Sequence, residues 1–161
     1  MKSTIPIAHN QAQPASLIRR LAAISYDSLI CIALMMVVTG AYMMLSSALI
    51  GAEHYRALND AGTTTRDPVL TSVLFSVLFF FFGYFWTKNG QTLGMQVWHL
   101  RVQNHDGSNI RWTQALLRFL MAGVSAAVFG LGYFWVIVDK KGRSWQCLFS
   151  ESEIVRLPKK P

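Results

Sequence analysis

The chain has 161 residues; 52% are hydrophobic and only 14% charged, with 15 Lys and Arg against 8 Asp and Glu for a net charge of +7. Soluble domains carry roughly 25% charged residues, and a chain this short has too little interior to hide so much apolar surface. A disordered chain and an ordinary soluble fold are therefore excluded, and the length holds one domain.

Residues 1–16 are polar and contain Pro6 and Pro14, the pattern of a flexible start. No short apolar stretch with a small-residue cleavage site follows the first basic residue, so no signal peptide is expected. Ser28 to Ala52 is a charge-free run of 25 residues. At about 1.5 Å per residue, as a helix it is longer than the roughly 30 Å hydrocarbon core of a bilayer. Pro68 to Thr87 is a second charge-free run, of 20 residues, holding the block Phe79-Phe80-Phe81-Phe82. Both are predicted transmembrane helices, because in lipid every backbone group must be bonded within its own segment. Tyr84, Phe85 and Trp86 close the second span at the level where Tyr and Trp favour headgroups. A third candidate lies between Arg118 and Asp139, with 20 uncharged residues interrupted by Gly130 and Gly132.

Positive charge sorts the ends. Bases gather on the cytoplasmic side of short loops. Three lie before the first span, two in the loop after it, four from Lys88 to Arg118 and six in the tail. The N-terminus and the second loop are therefore expected inside and the first loop outside. A straight third span would put the most basic segment, the tail, outside. A segment that breaks at the glycines and returns keeps it inside, so the charge pattern favours the re-entrant form over the straight one. The basic excess then reads as a face meeting anionic lipid, not as a nucleic-acid site, because it is spread over four segments without interleaved aromatics.

Between the second and third segments, Thr92 is placed to cap a short helix with Leu93, Val97 and Leu100 on one stripe. Leu100-Arg101-Val102-Gln103 alternates as a strand does. Asp106-Gly107 is a turn signal, and Ile110-Arg111-Trp112 is a candidate returning hairpin arm, with Thr113 capping the helix that follows. Glu153 to Leu157 also alternates, so a small sheet joining these arms is expected. The fold class is an all-α membrane protein: two full transmembrane helices, a third glycine-interrupted segment, and a small cytoplasmic loop or hairpin.

Arg20 and Asp27 are seven residues apart, which is about 700° of helix, so they share one face two turns apart. A carboxylate within a span costs about 2.5–3.5 kcal/mol on insertion scales and is normally paired or faces a cavity. Candidate partners for Asp27 are Arg20, Arg118 and Arg143, and a returning third segment brings Arg118 and Asp139 to the same boundary. Three roles are open: a lock between helices, an ion or proton ligand formed by Asp27 and Asp139 and gated by Arg20 or Arg118, or a partner-binding surface. His9, His54, His99 and His105 are scattered without ligand spacing, so no metal or other cofactor is expected. No nucleophile elbow, Walker or HExxH pattern is present, so the chain does not read as an enzyme. Cys31 and Cys147 are read as reduced thiols.

Arg20-Leu21-Ala22-Ala23 with Asp27, the stretch Gly90-Gln91-Thr92-Leu93-Gly94-Met95, then Leu100-Arg101-Val102, Asp106-Gly107 and Phe134-Trp135 before Asp139 together resemble the RDD family of small membrane proteins. That family is named for an arginine opening the first span and two aspartates, the first within that span. The resemblance covers roughly residues 16 to 156. It implies a flexible start over 1–16, a transmembrane domain over 17–157 and a basic end over 158–161. It makes Arg20, Asp27, Arg118 and Asp139 the candidate ionic site, and Gly90, Thr92 and Gly94 the family-motif loop. It also implies a membrane partner rather than a nucleic acid: lipid, a second copy, or another membrane protein. A suggested cation/proton antiport activity in the family sets transport beside a non-enzymatic adaptor role. One departure stands out. Family members carry an aspartate in a C-terminal motif where this chain has Cys147.

Overall fold

The structure is a computed structural model that describes residues 13–62, 67–139 and 142–158. Among these residues, 71% are helical with little strand, and two helices are long and apolar enough to cross a membrane. These are α1, Leu17–Ile50, and α3, Pro68–Lys88, separated by the short polar α2, Ala52–Asp60. The first starts eleven residues ahead of the charge-free run, so the helix carries Arg20 and Asp27 within it. At about 1.5 Å per residue, its 34 residues exceed the hydrocarbon thickness with turns to spare.

The chain forms two compact units, one of residues 28–80 and one of residues 1–27 with 81–161. In the first, large side chains such as Leu29, Met36, Val37, Met44 and Leu49 are exposed, which suits a surface solvated by lipid tails. Several hydroxyls of α3 bond locally. The hydroxyls of Thr71, Ser72 and Ser76 donate to carbonyls four residues back. Asp67 Oδ1 accepts the Val69 N–H at 2.8 Å, capping α3, and its Oδ2 accepts the Tyr42 hydroxyl.

The second unit carries the core. Its sheet has the order β1-β3-β2, from Gln13–Pro14, Ser152–Arg156 and Leu100–Asn104, with both pairings antiparallel. Leu100 pairs with Arg156 and Asn104 with Ser152. The alternation of β2 puts Leu100 and Val102 on one face, fully buried with Trp86, Ile110, Ala115, Cys147 and Ile154. Its other face is buried too. Arg101 Nη2 donates to Asn109 Oδ1 at 2.9 Å, and Gln103 Nε2 donates to Glu153 Oε1 at 2.9 Å.

Several local expectations change. Residues 13–16 are not a loose start, since Gln13–Pro14 is the edge strand and Ala15 is buried; residues 1–12 and 159–161 lie outside the described residues. The Asp106-Gly107 turn forms, with Gly107 at φ +81° and its N–H on Asn104 O. The returning hairpin arm does not. Ile110 enters the core, and α5, Trp112–Ala127, starts directly, its Arg111 N–H held by Gln114 Oε1 at 2.9 Å rather than by a Thr113 cap. The tail strand takes the place of that arm. Leu93 and Val97 are exposed, so the buried side of α4, Leu93–Val97, is Gly94. Trp86 is buried and does not mark a wet boundary, whereas Tyr84 is half exposed.

The third apolar segment is a bent pair. Helices α5 and α6, Leu131–Val138, meet at 98° across a break whose pivot is Gly130 at φ +80°, a conformation open to glycine at little cost. The chain then comes back to where the segment began. Gly142, just past α6, offers its carbonyl to Arg20, and Cys147 on α7, Trp145–Phe149, touches Arg118 near the start of α5.

This core predicts a contrast between two leucines. Leu100→Ala is expected to cost about 2–5 kcal/mol of unfolding free energy in detergent. Leu29→Ala, at an exposed position, should shift it by roughly 0.5 kcal/mol or less; equal losses at the two positions would contradict the assignment.

Candidate functional site

Asp27 is buried on α1, 7% exposed, and its carboxylate is fully engaged by the family-motif loop. Oδ2 accepts the Thr92 hydroxyl at 2.5 Å and Oδ1 accepts the Gly94 N–H at 2.8 Å. Thr92 Oγ1 in turn accepts the Met95 N–H at 3.2 Å, so one hydroxyl both caps α4 and grips the acid. Gly94 is required by space. A Cβ there would collide with the Ala23 carbonyl and lie 2.9 Å from Asp27 Cγ. The start of the loop is stitched to β2: Val102 N–H donates to Gly90 O at 2.6 Å, and Gln91 Nε2 donates to Leu100 O at 2.6 Å. Gly90, Thr92 and Gly94 thus act as one fastening between α1 and the sheet.

The arginines stand on neutral acceptors. Arg20 Nε donates to Ala15 O at 3.1 Å and Nη2 to Gly142 O at 2.8 Å. Arg118 Nη1 donates to Ser152 Oγ at 2.7 Å and reaches Cys147 Sγ at 3.5 Å, and its guanidinium lies 5.2 Å from the centre of the Trp86 ring. Asp139 turns to its own neighbourhood. It takes the Arg143 N–H at 2.8 Å and the Arg143 guanidinium at 3.2 Å, and this raises the pKa of the Arg143 side chain.

The four candidate charges therefore do not form one constellation. Arg118 reaches Cys147, while Arg20, Asp27 and Asp139 are each bound elsewhere. Of the candidate partners of Asp27, Arg20 does not pair with it, because two helical turns put about 10 Å of axis between them. The contribution of Ser152 and Gly142 carries no mark in the sequence, since a serine in a strand and a glycine in a basic loop have bland readings. The role of Trp86 was masked by its place at the end of an apolar run.

A model of the RDD family matches residues 14–150. The chain belongs to the RDD family. No curated protein and no solved structure matches it. As an RDD protein with two apolar helices of spanning length, it is a membrane protein. The RDD resemblance puts the arginine and first aspartate of the family's name at Arg20 and Asp27, and the structure gives each a separate set of partners.

Double-mutant cycles separate the two pairings. Asp27→Ala and Thr92→Val are each expected to cost about 1–3 kcal/mol, with a coupling of roughly 0.5–3 kcal/mol. Asp27→Ala with Arg20→Gln should add to within about 0.5 kcal/mol; strong coupling there would restore a direct ion pair.

Proposed function

We propose that this RDD protein is a non-enzymatic adaptor of the cell (inner) membrane, with its N-terminus in the cytoplasm. Its Arg and Asp side chains fasten a small sheet-bearing cap, and the cap recruits or stabilises another membrane protein. The observation that carries this reading is the closed state of Asp27. A migrating ion or proton would have to displace the Thr92 hydroxyl or the Gly94 amide, and with it the cap of α4. Arg20 and Arg118 are likewise committed to fixed carbonyl, hydroxyl and thiol acceptors. Phe149, 59% exposed at the end of α7, is the apolar side chain through which the contact is tested. The basic second loop and tail support the cytoplasmic placement.

Small-cation or proton transport is the second reading. It is favoured by one observation, a buried carboxylate on a long apolar helix. Enclosing a pathway would then need an oligomer, because a single copy has few spanning helices.

Proteoliposomes under imposed proton, sodium or potassium gradients test the choice. The adaptor reading expects no flux above empty vesicles. It further expects a defined membrane partner, crosslinked in native membranes, to be lost in Phe149→Asp. Flux that disappears in Asp27→Asn would establish transport instead. For orientation, an epitope tag appended after Pro161 should be cleaved by protease in inverted vesicles and spared in right-side-out ones.

A further inference from the structure

Arg20 and Arg118 are 5% and 4% exposed, and a guanidinium does not shed its charge in a protein. Burying two such cations is costly unless a counter-charge is supplied. Among the described residues, no carboxylate is in ion-pair contact with either. Asp27 is held by Thr92 and Gly94, Asp139 by Arg143, Glu153 by Gln103 and His105, and Asp106 by Ser108, while Glu151 is on the surface. Among the described residues, Arg20 Nη1 and Arg118 Nε find no hydrogen-bond partner. One acid touches Arg118 and interacts electrostatically with Arg20, the thiol of Cys147. It is 2% exposed, with Sγ 3.5 Å from Arg118 Nη1 and 3.3 Å from Ser144 Oγ.

We propose that Cys147 works as an anion, its thiolate being the counter-charge to the buried Arg20–Arg118 pair. The surroundings agree from every side. α1 brings Arg20 and α5 brings Arg118; the loop before α7 brings Arg143 and the Ser144 hydroxyl. α6 brings the Tyr133 phenol, which faces Arg118, and β3 brings only the neutral Ser152. Burial pushes the Cys147 thiol up, but Arg118, the Ser144 hydroxyl and Arg20 together outweigh it and hold the thiol below its usual value. The step is a simple ionisation, with the S–H proton released to solvent and the electron pair kept on sulfur. A depressed folded value means that the stabilisation is complete above the free-thiol value of about 8.5 and is lost as the pH falls through the folded value. The proposal is independent of whether any ion or partner binds the protein.

The test uses the full chain in detergent with Cys31→Ala, leaving Cys147 as its one cysteine. Ultraviolet thiolate absorbance, taken as the difference from a further Cys147→Ser variant, is titrated with pH. The expected midpoint lies below the roughly 8.5 of a free thiol, and Arg118→Gln moves it up. Thermal unfolding supplies a second readout that needs no arginine variant. At neutral pH, Cys147→Asp should melt at or above the parent and Cys147→Ser below it. In the parent, the melting temperature should rise with pH up to the free-thiol value, and this rise should vanish in Cys147→Ser. A midpoint at or above that of a free thiol overturns the proposal, as does a Cys147→Asp protein that melts below Cys147→Ser.

Discussion

The carboxylate of Asp27 is the point on which this structure turns. A carboxylate on an apolar helix is tolerable only if its charge is answered, and here the answer comes from a hydroxyl and a backbone amide of one five-residue helix. That choice has consequences along the chain. The amide can approach only if its residue lacks a side chain, which fixes Gly94. The hydroxyl must reach the acid while capping α4, which fixes Thr92. The loop so anchored delivers the chain into β2, whose Leu100 and Val102 form the centre of the core.

A second tier of polar contacts surrounds Arg20 and Arg118. Arg20 binds the residue before α1 and the loop after α6, and Arg118 binds α7 and β3. Arginine suits this work because several N–H groups leave one planar head, so one side chain can tie two segments. The bent pair α5–α6 makes it feasible. Its turn at Gly130 brings the tail back beside the helix that opened the segment.

The apolar architecture was legible in the sequence because it depends on the absence of charge over 20 or more residues, a signal needing no knowledge of neighbours. The break at Gly130 and the Thr92 cap were legible for a similar reason, as each depends on local backbone chemistry. Strand pairing was less so. Alternation marks Leu100–Gln103 and Glu153–Leu157 as strands, but partners fifty residues apart leave no trace of register. The Asp106-Gly107 turn invited a hairpin, and the turn is real, yet the next buried residue, Ile110, belongs to the core beneath a helix start. Face-sharing on α1 pointed to an Arg20–Asp27 pair. Periodicity reports direction around a helix, whereas contact also requires proximity along it, and two turns are too far.

The junction of α1 with the sheet depends on the Gly94 amide being held by Asp27. Amide hydrogen exchange in detergent micelles measures this directly. Gly94 N–H should be protected in the parent protein and should exchange about ten-fold or more faster in Asp27→Ala, the loss of roughly 1.4 kcal/mol or more of local stability. A Gly94 amide that exchanges freely in the parent, or equally slowly in both proteins, would contradict it.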